Sequence, residues 1–173
     1  MKLDFRLATS GDASAIANLV NQAYRGESSR LGWTTEADLL SGLRTETAEI
    51  TRLIAHENTL FLLCLTDNTL VASVCLEISN SSAHLGMFAV NPQQQARGIG
   101  KELLACAENT VVTTWGVARM EMVVITQRHE LIAFYERRGY QRTGVLKPFR
   151  AASKLWQPLV GNLQLAVLEK TLT

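Results

Sequence analysis

The residues best suited to hold a reactive ligand lie in one stretch, Gln95-Ala96-Arg97-Gly98-Ile99-Gly100-Lys101. An apolar strand, Met87 to Val90, runs toward it and is ended by Pro92, which has no N–H to give a ladder. Gly98 and Gly100 then let the main chain turn tightly and sit close against a ligand. The helix that follows carries Ile99, Leu103, Leu104, Ala107 and Val111 on one face, a 3.6-residue stripe. Its first turn is therefore a row of unpaired N–H groups at the positive end of the helix dipole, flanked by Arg97 and Lys101. Such a site takes anions, phosphates most naturally.

Two well-known nucleotide loops do not fit these residues. A Walker loop requires Gly where Gln95 stands and Ser or Thr where Glu102 stands. A dinucleotide fingerprint requires a small third residue where Leu103 would block close packing of helix on strand, and the turn after the strand is too long. Upstream lies a second constellation. Asn80-Ser81 reads as a two-residue hairpin turn, so Ser79 faces Ser82 and Glu77 faces His84. Directly opposed side chains sit roughly 5 Å apart at Cβ. Glu77 would orient the imidazole and raise its basicity, and histidine titrates in the range for taking a proton from an amine. The plainer reading is an exposed charge pair near a hairpin end.

The elements around these groups can be followed along the chain. Phe5 to Ala8 is a short strand, and Thr9 with Asp12 forms a capping box opening a helix through Tyr24, whose core face is Ala13, Ile16, Ala17 and Val20. Arg25 to Trp33 is a loop, with helical character returning over Thr35 to Gly42 and Glu46 to His56. Leu60 to Leu65 and Leu70 to Ile78 form a hairpin around Asp67-Asn68 and, with His84 to Val90, lay three antiparallel strands side by side. After the helix from Gly98 to about Thr114, Gly116 marks a stop. Arg119 to Ile125 is a central strand expected parallel to the end of the previous one. Glu130 to Arg138 is a helix closed by Gly139, with Arg137 and Arg138 where the dipole favours cations. Tyr140 to Val145 and Leu163 to Leu172 supply two more strands. The irregular piece Lys147 to Gly161, with Phe149 and Trp156, reads as a loop over one mouth of the site.

The 173 residues, 47% hydrophobic, suffice for the core of one domain spanning 1–173. A formal charge of +1 gives no electrostatic reason to expect nucleic acid or an anionic membrane as partner. No run approaches the roughly 18 apolar residues of a membrane span, and the first residues lack a secretory apolar stretch. Cys64, Cys75 and Cys106 sit in apolar patterns without a C-x-x-C pair. They read as reduced core residues of a cytoplasmic protein, and no metal site is expected.

The stretch beginning at Gln95 is similar to the phosphate loop of the GNAT N-acetyltransferase superfamily: Gln or Arg, two residues, Gly, one residue, Gly or Ala. The strand MFAV and Asn91-Pro92 before it, the correctly phased helix after it, and FYERRGY at Phe134 to Tyr140 strengthen the likeness. It runs over most of the chain and is weakest at 26–58 and 148–161. The resemblance implies a mixed α/β (α+β) fold, with a central, mostly antiparallel sheet of about seven strands, splayed at its centre and flanked by helices.

It also implies acetyl-CoA as co-substrate, with no metal. The pantetheine arm would lie along Phe88, Ala89 and Val90 like an added strand, and the phosphates along residues 95–101. Arg128, where the family often has Asn, would bind a CoA phosphate or be solvated. Tyr135 occupies the place of the tyrosine that protonates the departing thiolate, the plainer reading being a packed aromatic. His84 falls where histone-acetylating relatives carry a catalytic glutamate, whereas many members relay the proton through water. Tyr24, Arg30 and Trp33 are the acceptor-side candidates, Trp33 being equally suited to pin its loop to the core. The implied activity is transfer of acetyl to a primary amine of a small molecule by direct attack in a ternary complex. The alternatives are a non-catalytic acyl-CoA-sensing module, disfavoured by the presence of Tyr135, and an acetylase of protein lysines or N-termini, for which no acidic groove is visible. The family allows a homodimer, though no stretch argues for one.

Overall fold

Two hairpins set the middle of the sheet. In the computed structural model, which describes residues 1–150 and 153–173, β3 (Thr59–Thr66) turns into β4 (Thr69–Ser79) through Asp67 and Asn68, both left-handed at φ 48° and 60°. That is the backbone a tight hairpin matched to the strand twist needs. β4 turns into β5 (Ser82–Val90) through Asn80 (φ 55°), and the register sets Ser79 opposite Ser82 and Glu77 opposite His84, as expected. β1 (Asp4–Leu7) lies outside β3, while β6 (Arg119–Ile125), β9 (Gln164–Thr171) and β7 (Gln141–Pro148) continue on the far side. The seven strands run in the order β1-β3-β4-β5-β6-β9-β7, with β5 and β6 the one parallel pair. The mixed, mostly antiparallel sheet read from the sequence is found.

The centre of this sheet is open. β5 and β6 pair only at Ala83–Met120 and His84–Glu121. The expectation that β6 runs along the end of β5 is therefore corrected: the strands meet at their beginnings and part beyond. A bulge marks the place. Cys75 faces Gly86 but Ser73 faces Ala89, so β5 carries one extra residue, and Met87 takes it up at φ 45°. The extra residue swaps faces. Leu85 belongs to the core shared with α4 (Ile99–Trp115) and α5 (His129–Glu136), whereas Met87 belongs to the core shared with α1 (Ala13–Tyr24) and α3 (Thr47–Ala55). An unbroken strand would keep them on one side.

The helix stripes are as expected: α4 buries Ile99, Leu103, Leu104, Ala107 and Val111, and α1 buries Ala13, Ile16, Ala17 and Val20. The Thr9–Asp12 box closes, with the Thr9 N–H donating to Asp12 at 2.8 Å, but it opens a 3-10 turn that precedes α1. Gly116 (φ 66°) and Gly139 (φ 90°) stand past the ends of α4 and α5.

Three expectations about the connecting segments are corrected. Thr35 to Gly42 is not a helix. A single turn, with the Leu39 and Leu40 N–H groups both 2.9 Å from the Glu36 carbonyl, leads into β2 (Leu40–Gly42), which pairs with β8 (Trp156–Pro158). Leu40 is drawn into a small core with Ile125 and Leu163, and Gly42, at φ 86°, packs so tightly that a Cβ there would lie 2.1 Å from the Leu155 carbonyl oxygen. For the same reason the piece 147–161 is not wholly irregular, although residues 151 and 152 lie outside the described residues. The loop after α1 likewise contains one short helical turn, α2 (Gly26–Ser29).

Candidate active site

Backbone conformation holds the turn into α4 open. Ala96 (φ 63°) and Gly98 (φ 84°) are both left-handed, so successive amides face the same concavity. Among the described residues, the main-chain N–H groups of 96–101 find no backbone acceptor; Glu102, donating to the Gly98 carbonyl at 3.1 Å, is the first that does. Arg97 and Lys101 are exposed beside them. At Gly100 an added Cβ would lie in ordinary van der Waals contact with Phe134 and Val90 at 3.6 Å and Phe88 at 3.7 Å, all lining the same cavity, so a larger side chain there would take up space in it.

Gln95 turns the other way. Its Nε2 donates to the Val90 carbonyl at 3.1 Å and its Oε1 accepts the Trp33 N–H at 2.9 Å. The side chain is thus a strut between the end of β5 and the loop after α2. Trp33 leans on Phe134 with ring centroids 5.6 Å apart and covers a cavity of about 350 Å³, whose other walls include Phe88, Val90, Gly98, Gly100 and Lys101. Arg137 and Arg138 also line it, with the Arg138 guanidinium 3.6 Å over the Phe134 ring. Burial pulls the Arg138 pKa below its ordinary value.

A second cavity, of about 260 Å³, occupies the splay between β5 and β6. It is lined by His84 to Phe88, Met122 to Ile125, Tyr135, and the stacked pair Phe149–Trp156 at 5.2 Å. Tyr24, Phe88, Arg128 and Leu131 line both cavities and so stand between them. Around that junction is a buried ion cluster. Glu36 accepts from Arg25 Nε through one oxygen and from Arg128 Nη1 through the other, both at 3.0 Å, and Arg128 Nη2 reaches Thr34 at 2.8 Å. Arg128 lines the first cavity but is not a solvated surface cation. Its guanidinium is committed to Glu36 and Thr34, at 6% exposure. Arg30, expected on the acceptor side, lines neither cavity; it is paired on the surface with Glu27 at 3.0 Å and Asp38 at 2.8 Å.

Tyr135 is 3% exposed and lodged edge-on against Phe88, Phe134 and Tyr140, at centroid distances of 6.2, 5.2 and 5.7 Å. Tyr140 is fixed in turn by its hydroxyl, which donates to Glu108 at 3.0 Å. Burial holds the Tyr135 phenol well above the usual range, so it keeps its proton. His84 is half-buried opposite Glu77 on one side and Glu121 on the other, with a hydrogen bond to neither among the described residues. The expected rise in its basicity is reversed. Desolvation lowers its pKa, and the upward pull of Glu77 and Glu121 does not make up the difference. The imidazole is therefore neutral at neutral pH.

A wedge between two diverging strands, running from open helix amides to a neutral histidine beside a buried phenol, is an arrangement other proteins share. The sequence pattern of the acetyltransferase (GNAT) family matches residues 16–140. This chain belongs to that family. The acetyltransferase is 27% identical over 155 residues to the S-(2-succino)cysteine N-acetyltransferase of Bacillus subtilis (strain 168), covering 83% of this chain and 87% of that one. In fold it is similar to the ribosomal-protein-S18-alanine N-acetyltransferase of Escherichia coli (TM-score 0.72, 16% identity, 99% of this chain, 95% of that one). It is also similar to the PaiA N-acetyltransferase of Thermoplasma acidophilum in complex with coenzyme A (TM-score 0.66, 18% identity, 99% of each chain). Among the described residues of the acetyltransferase, no cluster of His, Cys, Asp and Glu could hold a metal ion, and no helix is long and apolar enough to cross a membrane.

Sequence reasoning missed several lining residues of this acetyltransferase. Arg137 and Arg138 were visible inside FYERRGY but read only as helix-end cations. The bulge had a signal in Gly86, since a lone glycine inside a strand pattern marks one. Glu36 and Arg44 had none, because it is the fold of 33–44 against α1 that carries them to the cavity.

Proposed function

We propose that this acetyltransferase moves an acetyl group from acetyl-CoA to the primary amine of a small, amino-acid-like acceptor, by direct attack in a ternary complex, with residues 1–173 working as one catalytic domain. One observation carries the reading: two cavities meet at Phe88, one ending at unpaired helix amides and the other lined by a neutral imidazole and a phenol. A phosphate-bearing donor suits the first and an amine the second. The edge of β5 over Phe88, Ala89 and Val90, which β6 leaves uncovered and where Gln95 holds the Val90 carbonyl, suits the amide-bearing arm of CoA, which would pair like an added strand. The amides of 96–101, with Arg97, Lys101 and Arg137, suit its phosphates.

In the transfer, the acceptor nitrogen attacks the thioester carbon, the C–N bond forms, and the C–S bond breaks. Tyr135 would give its proton to the departing thiolate and regain one from the acceptor nitrogen, which sheds its second proton as the amide forms. A phenol held above its usual pKa is a donor at every physiological pH and yields the proton to a strong base in the same dry surroundings. His84, kept neutral, would accept the proton from the ammonium directly or through water, with Glu77 stabilising the imidazolium that forms. The Bacillus subtilis relative, named for a modified cysteine, supports the acceptor class. The unpaired thiols Cys64, Cys75 and Cys106 suit a reducing, cytoplasmic setting. The test is a screen of amine acceptors with detection of the CoA thiol released. Acetyl-CoA binding without turnover of any amine would reject the transfer and leave only a binding module.

A further inference from the structure

The second cavity holds more positive charge than the protein neutralises. Three guanidinium groups line it, those of Arg25, Arg44 and Arg128, and one carboxylate, that of Glu36. Glu36 is fully engaged, one oxygen on Arg25 and the other on Arg128. Arg25 has a further acceptor in the Leu43 carbonyl at 3.4 Å and lies 5.9 Å from the centre of the Trp156 ring. Arg44 differs from both. It is half-buried, and among the described residues its guanidinium has neither an ion pair nor a hydrogen-bond acceptor, only the face of Tyr24 at 5.6 Å. Its main chain, by contrast, is tightly held. Asn21 Oδ1 accepts the N–H groups of Arg44 and Thr45 at 2.8 and 3.1 Å, and Asn21 Nδ2 donates to the Thr45 carbonyl at 3.0 Å.

A half-buried cation in a largely apolar cavity carries a desolvation cost that a partner offsets. A guanidinium whose stem is anchored and whose donors are free presents a planar fork that matches a carboxylate. We infer that the acceptor is an anionic amine, bearing a carboxylate that Arg44 binds in the second cavity while its amino group faces the Phe88 side. This rests on the acceptor side of the transfer proposed above. Neutral and cationic amines would leave Arg44 without its partner, and a cationic amine would face the net positive charge of the cluster.

The test measures binding, so that it does not depend on turnover. N-acetyl-L-amino acids, as products, and the matching C-terminal amides are titrated into the protein with and without CoA. Acids are expected to bind the parent roughly 10- to 100-fold more tightly than their amides, the range of a charge-assisted contact. Arg44→Gln should bring the two to equal, weak affinity while the dissociation constant for CoA stays at the parent value, and Arg44→Lys should restore part of the preference. Equal affinity of acid and amide for the parent, no binding of either, or an acid preference that survives in Arg44→Gln would each overturn the inference. Failure of CoA itself to bind would instead strike the transfer reading, since the acid-versus-amide comparison without CoA stands apart from it.

Discussion

The two cavities on either side of Phe88 are built in opposite ways. The donor side has its main-chain amides on one stretch, 96–101, set by two left-handed residues, while side chains from α1, from Trp33 and Thr34, and from α5 complete its walls. The acceptor side collects side chains from the end of α1, from 36–44, from both splayed strands, and from Phe149 and Trp156. Backbone groups on one continuous stretch offer a pattern that most single side-chain exchanges leave in place. Long side chains from distant segments can be exchanged singly, so that side is free to change its ligand while the donor side stays the same.

Changes on the donor side should alter acetyl-CoA binding, and changes on the acceptor side should leave it alone. The largest effect is expected on the acceptor side, where Tyr135 lines the second cavity. Tyr135→Phe should lower kcat by roughly 10²- to 10⁴-fold, the range for a lost acid, with acetyl-CoA affinity retained. A kcat within a factor of two of the parent would return Tyr135 to a packing role. Glu36→Gln strips the shared anion from two buried guanidinium groups and should destabilise the fold by about 3–5 kcal/mol, read by urea unfolding. A stability equal to the parent's would show that the cluster is solvated. Gly100→Val should remove the stabilisation conferred by acetyl-CoA, about 2.7 kcal/mol at a hundred times the dissociation constant, without unfolding the protein. If the thermal shift persisted, the loop would not be the phosphate site.

The smallest effect concerns His84. Because its folded pKa is depressed, the acid limb of kcat/KM should lie below the ordinary imidazole range, near 6.5. His84→Ala should flatten that limb, and Glu77→Gln should move it to still lower pH, since a carboxylate that raised the histidine pKa is gone. The two changes should not add. Profiles identical to the parent in both variants would assign the proton to water.

The same contrast explains what could be read without a structure. The hairpin registers, the α4 stripe and the glycine spacing of the loop at 95–101 are features of short stretches, and the sequence carries them openly. Arg128 reads from the sequence as a phosphate ligand or a solvated cation because its partner, Glu36, is remote in the chain and embedded in a segment whose pattern reads as helix. Tertiary packing overrode that pattern, since Leu40 is required in the small core with Ile125 and Leu163. His84 was located correctly opposite Glu77, but the direction of its pKa depends on burial, which register alone does not reveal.

The strand order has a consequence for how the chain comes together. β7 precedes β9 in the chain, yet β9 lies between β7 and β6 in the sheet. As the polypeptide emerges from the ribosome, β6 and β7 are made first and then wait, each with an unmatched edge, until β9 slides between them. Over that interval β1, β3, β4 and β5 have all been synthesised, and β6, the far bank of the cleft, lacks its neighbour β9. The nascent acetyltransferase thus passes through a stage with exposed strand edges, the condition in which chains are prone to join one another and chaperones are useful.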